Sequence, residues 1–99
     1  MCGAPPEGLS LEGIDVSKET VIQGVVVLDG QPVASAYVRL LDGSGEFTAE
    51  VVSSASGQFR FFARPGDWTL RALSSKGTGE VRVHAQQGTP VETQVAISR

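Results

Sequence analysis

Ser56-Gly57-Gln58-Phe59-Arg60-Phe61, followed by Arg64-Pro65-Gly66-Asp67-Trp68-Thr69-Leu70-Arg71-Ala72, is the passage on which the fold turns. Each glycine stands where a chain can reverse, and each run after it alternates large apolar with polar side chains. That period of two is the mark of a strand with one wet face. Working outward, Val21 to Leu28 reads as a valine-rich strand, and Asp29-Gly30 as a hairpin turn. Ala36, Val38 and Leu40 share one face. Asp42-Gly43-Ser44-Gly45 turns the chain again, and Phe47, Ala49 and Val51 then point inward together. Trp68, Leu70 and Ala72, Val81 and Val83, and finally Val91, Thr93, Val95 and Ile97 complete the series. Turn signals recur roughly every 8–12 residues, and no segment has helical periodicity. The expectation is an all-β, seven-stranded antiparallel β-sandwich, with a small closed barrel as the alternative. Its core should hold Ile22, Val26, Val38, Leu40, Phe47, Val51, Phe59, Phe61, Trp68, Leu70, Val83, Val95 and Ile97.

The chain has 99 residues, enough for one domain with one adequate core. Residues 1–19 read as an extended leader, since Cys2 to Gly8 holds two prolines and two glycines; residues 20–99 form the sandwich body. Leu9, Leu11, Ile14 and Val16 are apolar enough to lie against that body. In residues 1–20, Glu7, Glu12, Asp15 and Glu19 face a single base, Lys18, so the formal net charge of −3 belongs to this segment and the body is neutral. There is no clustered Lys and Arg for nucleic acid. No apolar run is long enough for a membrane helix, and no basic-then-apolar start marks a secretory signal. The expected location is cytoplasmic. A single cysteine excludes an internal disulfide framework and a multi-cysteine zinc site. No catalytic residue, metal or cofactor is assigned.

Ile22-x-Gly24-x-Val26, Asp29-Gly30-x-Pro32-Val33, Ala36-x-Val38-x-Leu40, Gly57-x-Phe59-x-Phe61 and Pro65-Gly66-x-Trp68-x-Leu70 resemble the carboxypeptidase-regulatory-like, or prealbumin-like, sandwich modules. Trp68 stands where such modules usually carry tyrosine. The whole chain, including Met1-Cys2-Gly3-Ala4-Pro5 and Glu46 to Val52, is similar to a short actinobacterial family of unknown function, sometimes called SseC-like. Members of that family are typically encoded beside thiosulfate sulfurtransferases. The resemblance implies an accessory role in sulfur metabolism, with a thiosulfate sulfurtransferase as partner.

Within that implication Cys2 is the candidate sulfur carrier. Removal of the initiator methionine would put an α-ammonium on the cysteine itself, which favours the thiolate; Glu7 and Glu12 oppose it. The other reading is an interaction or scaffold module in which this thiol has no role. His84, the single histidine, should project outward with Glu80 and Arg82, because Val81, Val83 and Ala85 take the inward parity. With no further donors in register it is not expected to bind metal or to complete a Ser–His–Asp triad.

Trp68 is expected in the core rather than on a ligand platform with Tyr37. Arg39, Arg60, Arg64 and Arg71 lie on outward positions or at a turn. They either pair with Glu46, Glu50 and Asp67 across strands or form a mild cationic strip. The serines at strand ends should bond to local backbone. A Lys–Asn crosslink is excluded because the chain has no asparagine. Val21 to Leu28 and Val91 to Ile97 are read as sheet edges blunted near Pro32 and Pro90. Val25 and Val27 would then form an outward patch needing cover, from the leader or from a second copy in a homodimer.

Overall fold

The chain first reverses at Asp29 and Gly30, whose φ values of 52° and 80° are both positive. Two successive residues in that region make the turn whose twist matches a tight hairpin. Val27 pairs with Pro32 and Leu28 with Gln31 across it. The computed structural model describes residues 19–99. The remainder of the expected leader, with Cys2, Leu9, Leu11, Ile14 and Val16, lies outside the described residues.

Eight strands follow one another: β1 (Val21–Leu28), β2 (Gln31–Pro32), β3 (Tyr37–Leu41), β4 (Phe47–Val52), β5 (Gln58–Phe62), β6 (Gly66–Ser74), β7 (Gly77–Ala85) and β8 (Val91–Ala96). The eighth strand beyond the expected seven is β2, a two-residue return of the first hairpin. No helix among the described residues is long and apolar enough to cross a membrane.

In the first sheet β1 lies at the centre. β5 pairs antiparallel along one of its edges, and Val26 N–H reaches Gly57 O there at 2.8 Å. β2 continues the same edge, where Val33 N–H donates to Val26 O. β8 pairs along the other edge in parallel, from Ile22↔Val91 to Val27↔Ala96. Two expectations are corrected here. β1 is not an edge strand, and its sheet is not purely antiparallel. The physical reason is the pairing itself: β8 returns alongside β1 on the edge that β5 leaves open, while the continuous apolar run accounts only for burial of side chains of both parities. Val26 and Val27 are both buried and Val25 is half-buried, so the open valine patch does not form. β8 is an edge as expected.

The second sheet runs β4-β3-β6-β7 and is antiparallel throughout. Its register slips between Leu40 and Leu41: Leu40 faces Ala49, but Leu41 faces Phe47. Thr48 is the extra residue of a β-bulge, and a bulge breaks the inward–outward alternation. That corrects a third expectation, for Phe47 is 62% exposed rather than buried with Ala49 and Val51.

The sheets share one core. Ile22, Val26, Phe59, Phe61 and Val95 come from the first; Val38, Leu40, Trp68, Leu70 and Ala72 from the second. Ala49, Val51, Val81 and Val83 pack against it, half-buried. The arrangement is sandwich-like and all-β. One flank is stitched shut: Thr78 and Ser98 exchange backbone hydrogen bonds of 3.1 and 2.9 Å, bringing β7 against the end of β8. A Cβ on Gly79 would overlap the Ala96 carbonyl oxygen, so this approach requires glycine. Among the described residues, no such pair of backbone hydrogen bonds joins β4 to β5 on the other flank.

Ser53 anchors the loop before β3. Its buried hydroxyl donates to Val33 O and accepts from Ala36 N–H, both at 2.8 Å. The loop carries Ser35 at a φ of 61°, a conformation few side chains accept without such fixing.

Candidate functional site

The β6–β7 hairpin places outward side chains directly opposite one another: Asp67 with His84, Thr69 with Arg82, Arg71 with Glu80. β3 extends these rows, because Arg39 faces Arg71 and Leu41 faces Thr69. β4 adds Glu50 beside Arg39. The turn Asp42–Glu46 rises over one end of this face. Between turn and hairpin lies a groove of about 600 Å³, lined among others by Leu41, Ser44, Thr69, Arg71, Arg82 and His84.

The groove has an ordered electrostatic layout. In one row Arg39 Nε donates to Glu50 Oε1 at 2.8 Å, and Arg71 Nη2 donates to Glu80 Oε1 at 3.1 Å. In the far row His84 Nδ1–H donates to Asp67 Oδ1 at 2.7 Å, on side chains that are 60% and 83% exposed. The row between them holds Leu41, Thr69 and Arg82. No salt bridge forms to the Arg82 guanidinium among the described residues.

The turn is held by its own first residue. Asp42 Oδ1 accepts from Ser44 N–H at 2.9 Å, Ser44 Oγ–H at 2.7 Å and Glu46 N–H at 3.0 Å. The Ser44 hydroxyl, and after it the Glu46 amide, holds the Asp42 carboxyl below the usual carboxylate value.

A second groove, of about 540 Å³, opens on the unbridged β4/β5 flank. Thr48 and Ala49 stand on one side of it and Phe62, Ala63 and Arg64 on the other, with Glu19 and Thr20 at its rim. Phe62 is 57% exposed. The alternating reading had given Phe59 and Phe61 their inward places, and Phe62 follows them outward by parity. The segment bearing Cys2 joins the body at this rim.

His84 is outward beside Glu80 and Arg82, as its parity implied. Cys2 lies outside the described residues. Trp68 is buried and its indole N–H donates to Arg64 O at 2.8 Å, whereas Tyr37 is exposed on the outer face, so the two do not form a platform. Arg60 donates to Gln23 Oε1 at 2.9 Å on the first sheet. Arg39 pairs with Glu50, but Arg71 takes Glu80 rather than Asp67. The Asp67–His84 contact was missed. Its signal was present: the two residues are equidistant from the Ser75–Lys76 turn, which makes them cross-strand partners once that turn fixes the register.

Fold and groove together define a small all-β, sandwich-like domain with a polar, partly self-neutralised outer face. The chain belongs to the DUF1416 family of proteins of unknown function, whose family model matches residues 2–97. Two uncharacterized proteins of Mycobacterium tuberculosis, Rv0814c and Rv3118, are each 56% identical over 100 residues, covering 99% of this chain and 100% of theirs. An uncharacterized protein of Mycolicibacterium smegmatis is 68% identical over 72 residues, covering 72% of this chain and 80% of its own.

Among solved structures, a DUF3823 family protein from Parabacteroides merdae superposes with a TM-score of 0.62 at 16% identity, covering 83% of this chain and 47% of that one. The 3-chlorocatechol 1,2-dioxygenase of Rhodococcus opacus gives a TM-score of 0.58 at 12% identity, covering 87% and 62%. This chain therefore spans less than two thirds of either structure. At such identity the likeness is one of fold alone.

Proposed function

We propose that this protein is a cytoplasmic, non-catalytic accessory module. Its prealbumin-like sandwich docks a thiosulfate sulfurtransferase, and Cys2 accepts or carries sulfane sulfur. The observation that supports docking is the β4/β5 flank. Phe62 stands exposed on a groove at whose rim Glu19 and Thr20 join the body to the Cys2-bearing segment. A partner seated there would cover an exposed ring and lie beside the tether of the thiol. The resemblance to the SseC-like family supplies the class of partner.

The chemistry is a transfer without net oxidation. The Cys2 thiolate attacks the outer sulfur of the enzyme's persulfide. A new S–S bond forms to Cys2, the enzyme's S–S bond breaks, and its thiolate leaves with the electron pair. The test is to incubate the protein with a sulfurtransferase and thiosulfate and to weigh it intact. A gain of one sulfur atom, retained in His84→Ala and absent in Cys2→Ser, is the expected result. A stable complex with no adduct would reduce the reading to an interaction module. Neither complex nor adduct would remove both.

A further inference from the structure

We propose that the groove on the outer face of β6 and β7 binds a small-molecule oxyanion, a carboxylate or a phosphate, on Arg82 with His84 and Thr69 beside it. The inference rests on how the charges of this face are distributed. Every carboxylate that lines the groove is occupied: Glu80 by Arg71, Asp67 by His84 Nδ1, and Asp42 by Ser44 and the Glu46 amide. From β3, Arg39 is neutralised by Glu50. Among the described residues, what remains is the guanidinium of Arg82, in the middle row, between the Arg71–Glu80 pair and the Asp67–His84 hydrogen bond.

Two further groups converge on that row. Thr69 stands directly opposite Arg82 and lines the same groove, so its hydroxyl lies on the guanidinium's side of the sheet. His84 lies one row away. Asp67 takes Nδ1 and so orients the ring, leaving Nε2 as the nitrogen open to a ligand. In its imidazolium form the ring donates from Nε2. A planar guanidinium suits the two oxygens of a carboxylate or phosphate, and a hydroxyl and a ring N–H beside it can take the remaining lone pairs.

The groove is also a built space. Its wall is the turn that Asp42 fixes through three hydrogen bonds, and its floor includes Leu41, which is buried although it takes the outward parity. At about 600 Å³ it has room for a small organic acid or phosphate ester and not only for a bare ion. The site as proposed uses Thr69, Arg82 and His84 and does not call on Cys2.

The test is a titration of the isotope-labelled protein, followed by amide and imidazole NMR shifts. Acetate and inorganic phosphate are added in separate arms, with ionic strength held constant by sodium chloride. Saturable shifts centred on Thr69, Arg82 and His84 are expected. Affinity should fall tenfold or more in Arg82→Gln and severalfold in His84→Gln. It should be unchanged in Arg39→Gln and in Cys2→Ser. Shifts that do not saturate, that sodium chloride alone reproduces, or that persist in Arg82→Gln would overturn the proposal. So would equal losses in Arg39→Gln and Arg82→Gln, which would mean a general attraction rather than a site.

Discussion

At the scale of single residues, a few polar side chains fix the loops and turns of the body through short hydrogen bonds. Ser53 is the clearest. Its buried hydroxyl bridges Val33 O and Ala36 N–H, so Ser53→Ala leaves one buried acceptor and one buried donor unmatched. Such a change costs about 1–3 kcal/mol, to be read as a lower urea midpoint at unchanged slope. Asp42 works by charge. Its carboxyl is held below the usual value by the Ser44 hydroxyl and then the Glu46 amide, so it contributes stability above the ordinary carboxylate range. That contribution is lost as pH falls through its lowered value, when protonation removes an acceptor from the turn. An NMR titration of the side-chain carboxyl should therefore give a midpoint below that of an unperturbed aspartate. Ser44→Ala should raise it.

At the scale of elements, the glycine-timed alternation made most strands legible. Gln58 to Phe61, after the Gly57 turn, and Gly66 to Ala72 lie in β5 and β6 with Phe59, Phe61, Trp68 and Leu70 inward, as their parity required. What alternation could not reveal was pairing. The run Val25-Val26-Val27 carried the hint of a central strand, but only the parallel partner β8 makes β1 central. Phe47 failed for a different reason: a bulge of one residue, Thr48, leaves no trace in a hydrophobic pattern. The candidate groove was half legible. The outward parity of Glu80, Arg82 and His84 could be read from one strand, whereas their partners required the register of the hairpin. Gly79 is the element-scale test of the closed flank. Gly79→Val would drive a branched side chain into the Ala96 carbonyl and should cost about 1–3 kcal/mol or more. Amide exchange should quicken first where β7 meets Ser98, and only later in β3.

At the scale of the whole molecule, the two flanks of the sandwich differ. The β7/β8 flank is stitched by backbone hydrogen bonds; the β4/β5 flank keeps a groove and an exposed Phe62 at the point where the Cys2 segment joins. The outer face of the second sheet has largely neutralised itself, leaving Arg82 for a small ligand rather than a broad charged surface for a macromolecule. Docking is therefore expected at the β4/β5 flank. The most direct measurement is light scattering, coupled to gel filtration, of the protein mixed with a thiosulfate sulfurtransferase. The intact chain should form a complex of defined mass. Phe62→Ser, whose side chain is mostly outside the core, should abolish that complex while the variant stays folded, and Arg82→Gln should leave it intact. No complex with the intact chain, or one that Phe62→Ser does not weaken, would contradict the account.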